Sequence, residues 1–474
     1  MTDAELAYAP ATELVQLIAA KKVSPVELTR LFLDRIARLD PQLNAFLLLN
    51  HDQALEAAQA AEAAVMRGEP LGPLHGLPIP IKDTQTTRGL RTTMGSAIFK
   101  DWVPDRDAAV VERVRNAGAL ILGKTNVPEL GMVGTCENRL GAPGRNPWNT
   151  DCTPGGSSGG AAAAVAAYLC PMATGSDGGG SIRIPANFCG IYGIKPTQGR
   201  VSGFSGRSGS PMPYIFSQNG PLSRTVRDAA LLLQVLAGHD PRDPVSLRRE
   251  APDFVAALER QIHGLRIGWS PDFGYADVDS EVLEITSRGA RVFEELGCHV
   301  EEAKVKMDHP YDTFGPLQTA DAHTRFGHYL ETHADQMTGF TRFFLELGAR
   351  VTTAEYARAL GEVDLLKAHM NELFEEFDLL LSPTACFPAF RNGEYPGEMS
   401  GKTIYPDQYW NGNFTLPINT IGHPAATAPA GFSRAGLPIG LHIVGRREDE
   451  ELVLAASAAF ERARPWIHQR PPVS

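Results

Sequence analysis

The chain has 474 residues, of which 43% are hydrophobic and 21% charged, and it carries a formal net charge of −11. These are ordinary values for a globular protein, and the length allows one large α/β domain or two to three average ones. The negative balance, with no run of five Lys or Arg, argues against nucleic acid as a partner and for a small ligand. Cys136, Cys152, Cys170, Cys189, Cys298 and Cys386 lie far apart with no CxxC pair, so neither a disulfide framework nor a zinc site is indicated. No His/Asp/Glu cluster has ligand spacing, and no metal or cofactor is expected. The N-terminus, MTDAELAYAP, has acids where a signal peptide needs bases, and the longest apolar run is about half a membrane span. The expectation is a cytoplasmic chain off the membrane, with oligomeric state open and a homodimer allowed.

Residues 1–70 read as an N-terminal helical arm. Leu14, Leu17 and Ile18 share a face, and Ser24-Pro25-Val26-Glu27 has the form of a capping box with proline at the first helical position. Leu28, Phe32, Ile36 and Leu39 follow at helical spacing, and an alanine-rich segment over 52–67 ends at Gly68. The remainder, 71–474, reads as a single domain.

Residues 77–82, LPIPIK, form a short run suited to an edge or first strand, because its prolines cannot serve a central ladder. Lys82 ends this apolar run, with Asp83 on the opposite face. A helix over 107–117 and a buried strand over 119–122 follow. Gly118 to Thr125 matches the phosphate-loop pattern GxxxxGK[ST] letter for letter. Its four variable positions are themselves the strand, however, and Val127-Pro128 follows where a helix should begin, so nucleotide binding is rejected.

A helix over 223–237 closed by Gly238, a strand over 265–269, a helix over 280–296 and a strand over 298–305 alternate as in a layered α/β body. The segment 306–350 is rich in aromatics (Tyr311, Phe314, Phe326, Tyr329, Phe340, Phe343, Phe344), which suits either a helical cap over a pocket or ordinary core. A long helix over 353–377, strands over 379–382 and 437–444, and a last helix over 449–464 complete the chain.

The chemistry concentrates in TPGGSSGGAAAAVAAYLCPMATGSDGGGSIRIP, residues 153–185. Two glycine-flanked serine sites bracket an alanine-rich run, and glycine at this density leaves main-chain N–H groups accessible to a substrate. A serine hydroxyl needs a base. Gly155-Gly156-Ser157-Ser158-Gly159 matches GxSxG, the elbow of Ser/His/Asp hydrolases, but a polar segment ending in Pro154 precedes it where an apolar strand should stand. The alternative base is a lysine whose ammonium is disfavoured by burial, and Lys82 is placed for that.

These blocks, within Gly76 to Ser202, resemble the amidase signature family, whose hallmarks are Gly-Gly-Ser-Ser-Gly-Gly followed by Asp-x-Gly-Gly-Ser-Ile-Arg-x-Pro. Weaker similarity extends through Gly220 to Asp228 and through Asn419 to Gly445. The resemblance implies an α/β fold with a mixed, twisted central sheet flanked by helices on both faces. It also implies an amidohydrolase in which Ser181 is the nucleophile, Ser157 the bridging serine after a cis peptide at Gly156-Ser157, and Lys82 the base. The backbone N–H groups of Gly178, Gly179, Gly180 and Ser181 would then form the oxyanion hole, with Ser158, Asp177 and Arg183 in support. Gly178 departs from many relatives, which carry a larger residue there. By the same resemblance Gly131, Met132 and Val133 line the acyl side of the pocket, and Tyr409, Trp410 and Phe414 close over the leaving group. The substrate class implied is a carboxylic amide, aryl or alkyl, with esters as an extension. The family also includes the ammonia-liberating A-type component of glutamine-dependent aminoacyl-tRNA amidotransferases, which remains an alternative.

Overall fold

Two sheets carry the fold. The smaller one holds β1 (Phe46–Leu49), β2 (Pro78–Lys82) and β3 (Leu120–Thr125), with β3 in the middle, antiparallel to β1 and parallel to β2. The larger has eight strands: β4 (Met172–Asp177), β5 (Tyr192–Lys195), β6 (Gln218–Ser223), β7 (Arg266–Trp269), β8 (His299–Glu302), β9 (Leu379–Pro383), β12 (Ala425–Phe432) and β13 (Pro438–Gly445). A separate ribbon pairs β10 (Glu398–Met399) with β11 (Lys402–Thr403). The structure, a computed structural model, describes residues 1–207, 215–305, 307, 310–399, 402–403 and 414–474.

The large sheet runs β4-β6-β5-β12-β13-β9-β7-β8. Neighbours from β4 to β9 are antiparallel, whereas β7 pairs in parallel with both β9 and β8. The sheet is therefore mixed, as expected. Side-chain alternation along the sheet divides its packing between the two largest cores. On β9, Leu379 and Leu381 join the helices Val226–Leu236 and Glu450–Ala463, while Leu380 between them joins the helix Thr353–Glu376 through Met370, Leu373 and Phe374. Helices thus cover both faces of the central strands, while β8 at the edge is largely exposed.

Several local readings need correction. Residues 1–70 are not wholly helical: β1 interrupts them, its Leu-rich run pairing with β3, and Leu14, Ile18, Leu28 and Phe32 pack into the main core. The helix expected from 223 starts at Val226, because Gln218–Ser223 is a strand and the Thr225 hydroxyl caps the helix by accepting from Asp228 N–H. The alanine-rich run is a short helix, Gly159–Ala166, followed by β4. The phosphate-loop lookalike is strand, as its pattern indicated: β3 covers Leu120–Thr125, and the Lys124 ammonium is held by Gln85 O at 2.5 Å and by the Thr87 and Thr92 hydroxyls, both at 3.0 Å.

Candidate active site

Lys82 closes β2, and the strand's complete burial carries its amine into the protein. Its Nζ lies 2.9 Å from Ser157 Oγ, 2.9 Å from Ser176 Oγ and 3.1 Å from Ser176 O. Among the described residues no carboxylate pairs with it. Burial pulls its pKa down to about 7, against a weaker upward pull from Asp177 and Cys136, and the Cys136 thiol is itself pushed up to about 12 by burial. At neutrality the amine is therefore about half uncharged, against a negligible fraction for an ordinary lysine. An uncharged amine has two N–H donors and one lone pair. With both donors on Ser176, the lone pair is left for the Ser157 hydroxyl proton.

Ser157 follows a cis peptide with Gly156. Close packing explains why glycine stands at 156: a Cβ there would sit 1.8 Å from Thr135 O. Ser157 is nearly fully buried. Ser158 N–H donates to Ser181 O at 3.1 Å, which ties the two serine sites together through the main chain, and Ser158 Oγ donates to Ser176 O at 3.3 Å.

The second serine site is the turn between β4 and the helix Arg183–Cys189. Asp177 organises it. Its carboxylate accepts from Gly180 N–H at 2.6 Å, Ile182 N–H at 3.1 Å and Arg183 N–H at 3.3 Å. Arg183 adds Nε and Nη2 to the same carboxylate at 3.0 and 2.9 Å, and both side chains are fully buried. Burial by itself would raise the Asp177 carboxyl, but Arg183, Lys195 and Asn419 hold it well below the usual carboxylate range. Arg183 is further fixed by Asn419 Oδ1 at 2.6 Å, Thr415 O at 3.0 Å and His442 Nε2 at 3.0 Å. The His442 imidazole, which burial holds far below its ordinary pKa, accepts that bond in its neutral form.

The carbonyls of the turn are also pinned. Gly178 O accepts from Gln318 Nε2 at 3.2 Å and Gly179 O from Thr415 Oγ1 at 2.7 Å. Gly180 has φ +126°, and a Cβ there would lie 2.3 Å from Thr415 Oγ1. Its N–H is committed to Asp177, which sets it apart from the other members of the expected oxyanion hole.

Ser157, Ser181, Ser176, Gly178 and Gly179 open on one cavity of about 240 Å³. Gly131, Met132 and Val133 are among its lining residues, and a Cβ at Gly131 would come within 3.4 Å of Ser157 Oγ. Phe414 is a correction: it is fully buried and packs edge-on against Phe273, 5.1 Å between centroids, as part of the core behind the cavity. An aromatic without a polar handle gains most by complete burial, and sequence alone does not separate that from a pocket wall. Tyr409 and Trp410 lie outside the described residues. From the segment 306–350, the helices Pro310–Phe326 and Gly339–Ala349 supply Gln318, Asp321, Ala322, Arg325, Phe326 and Phe344 to the cavity wall, while Phe343 is exposed and Phe314 packs in a separate cluster.

Sequence reasoning missed Ser176, Gln85 and Asn219. Ser176 lies within the second glycine block, and its spacing from Asp177 on β4 was the available signal. Gln85 bridges Gly175 O at 3.2 Å, Asn219 Oδ1 at 3.0 Å and the Thr174 hydroxyl at 2.6 Å, joining the loop after β2 to β4 and β6. No imidazole lines the cavity among the described residues, so the GxSxG match has no histidine beside it. Among those residues there is also no group of three or more His, Cys, Asp or Glu placed to hold a metal, and no helix is long and apolar enough to cross a membrane.

Comparison with known proteins bears on the same residues. The Amidase family model matches residues 27–454. The A-type component of the glutamyl-tRNA(Gln) amidotransferase of Moorella thermoacetica is 38% identical over 98% of this chain and 99% of its own length. An acylamidase of Rhodococcus erythropolis is 36% identical over 99% and 98%. Among solved structures, a bacterial aryl acylamidase of the amidase signature family superposes with a TM-score of 0.91 at 36% identity, covering 97% of each chain. A 6-aminohexanoate cyclic dimer hydrolase superposes with a TM-score of 0.89 at 28% identity, covering 98% of this chain and 99% of that one. With the family model spanning nearly its whole length and the fold reproduced throughout, the chain belongs to the amidase signature family of amidohydrolases.

Proposed function

We propose that this amidohydrolase cleaves a carboxylic amide through an acyl-enzyme on Ser181, with Lys82 as base and Ser157 as the relay between them. The observation that carries this is the buried Lys82 amine, paired with no carboxylate among the described residues and 2.9 Å from the Oγ of Ser157, which lines the same cavity as Ser181. Neutral Lys82 takes the Ser157 proton as Ser157 takes that of Ser181, and Ser181 Oγ attacks the amide carbonyl carbon. The oxyanion forms against the N–H groups of Gly178, Gly179 and Ser181, while Gly180 N–H holds the turn to Asp177. The proton returns along Lys82 and Ser157 to the leaving nitrogen as the C–N bond breaks. Water then repeats the cycle on the ester, releasing the carboxylic acid and freeing Ser181.

Ser158, Asp177 and Arg183 act as positioning residues in this scheme, and Gly131, Met132 and Val133 form the wall facing the relay. Resemblance to two acylamidases supports aryl or alkyl amides as substrates. A second role is favoured by a specific observation, the 38% identity along the full length of a relative whose name makes it part of an amidotransferase. Assaying the purified chain alone against simple anilides and alkyl amides separates the two. Turnover without a partner or tRNA supports a free-standing amidase. Activity that appears only on glutamine and only with a partner present supports the amidotransferase role.

A further inference from the structure

One end of the cavity is reactive and polar; the other is apolar, built from Met94, Leu130, Ala322, Phe326 and Phe344. A cation sits within that apolar end. The Arg207 guanidinium lines the cavity half-buried, with its carbon 5.7 Å from the Phe99 ring centroid, 5.6 Å from Trp102 and 5.7 Å from Phe326. Its Nη1 reaches Met94 Sδ at 3.7 Å, a weak acceptor, and among the described residues no carboxylate pairs with it. Arg325, also in the wall, does have a partner: its Nη2 lies 2.5 Å from Asp321 Oδ2. Among the described residues the wall thus presents two guanidiniums and one carboxylate, a net positive charge beside the apolar cluster.

Aromatic faces hold a guanidinium in place and in low dielectric without satisfying its N–H donors. A planar fork kept in a concave site with open donors matches a carboxylate bidentately. We infer that Arg207 is a specificity determinant that receives an anionic group, a carboxylate on the amide substrate distant from the scissile bond. The preferred substrate class is accordingly a monoanionic amide over its neutral isostere. This rests on the cavity being the amide site.

The test reads binding and turnover separately. Probes are glutaranilic acid against hexananilide, with the carboxylate on the acyl side, and 4′-carboxybutyranilide against 4′-methylbutyranilide, with it on the amine side. Calorimetry on the Ser181→Ala protein measures binding without cleavage. In one of the two pairs the acid should bind about 10- to 100-fold more tightly than its neutral mate. Arg207→Met should collapse that ratio towards one, and Arg207→Lys should keep part of it. In the active enzyme the same preference should appear in KM more than in kcat. A circular-dichroism melt shows whether each variant is folded, and general damage cancels in the ratio. Equal binding of acid and neutral probes in both pairs, or a ratio that Arg207→Met leaves unchanged, overturns the inference. Anion-selective binding lost in Arg207→Met, with no amide turned over by the wild type, would uphold Arg207 and overturn the amidase scheme instead.

Discussion

The amine of Lys82 and the hydroxyl of Ser157 meet 2.9 Å apart in a buried setting, with both N–H donors of the neutral amine aimed at Ser176. Because burial lowers the Lys82 pKa to about 7, the proposed base is protonated and idle in acid and free above neutrality. The kcat/KM of an amide should therefore rise from pH 5 to 8 with an apparent pKa near that value, then level off. Lys82→Ala should lower kcat/KM by about a thousandfold or more and remove the rise. An unchanged pH profile in that variant would mean that another group titrates.

The same lysine has a stability signature. Between about pH 7 and its ordinary value of 10.5 the unfolded chain binds a proton that the folded chain does not, so this group makes stability rise with pH across that window. Below it the cost of keeping the amine buried is constant. Lys82→Met should accordingly raise the thermal midpoint at pH 7 while abolishing activity, a gain of about 1 kcal/mol or more. A lower midpoint would show that the bonds to Ser157 and Ser176 outweigh desolvation.

The Asp177–Arg183 pair, buried and bonded twice, should be expensive to break from one side. Arg183→Met leaves a buried carboxylate without its main partner and should cost about 3–5 kcal/mol in denaturant unfolding. The sign with pH is the same as for the lysine, since the folded-state pKa is again the lower one, but the window lies in the acid range. A carboxyl held below its ordinary range stabilises the fold above the usual carboxylate pKa and loses that contribution as pH falls beneath it. The acid limb of the stability curve should flatten in Asp177→Asn.

Gly180 tests the turn directly. Its φ of +126° and the 2.3 Å approach of a notional Cβ to Thr415 Oγ1 leave no room for a side chain. Gly180→Ala should destabilise by about 2 kcal/mol and depress kcat more than KM, since the displaced donors act on the transition state. Loss confined to KM would place the turn in ground-state binding.

Legibility in the sequence followed chemistry more than geometry. Lys82, Ser157 and Ser181 stood out because glycine-flanked hydroxyls and a lysine ending an apolar run are unusual patterns, while their roles came from the family resemblance; in the structure Lys82 meets Ser157, and Ser157 and Ser181 line one cavity. Half of the large sheet was harder to read. β4, β5, β6 and β12 lack β-branched alternation because they are covered on both faces and crowded by helices. A Cβ at Gly175 would sit 2.6 Å from Leu222 Cδ1, and one at Gly193 would sit 2.9 Å from Ala186 Cβ. Small residues are required where strand propensity would ask for large ones. Arg207 was invisible for a different reason: its aromatic setting comes from Phe99, Trp102 and Phe326, over a hundred positions away on either side.

The most direct test of the account is covalent: treat the folded protein with a fluorophosphonate at pH 8 and locate the adduct by peptide mass spectrometry. The account predicts a single phosphonylated residue, Ser181, with labelling suppressed in Lys82→Ala and in Ser157→Ala. An adduct on Ser157 or Ser158, or labelling of Ser181 at full rate without Lys82, would contradict it.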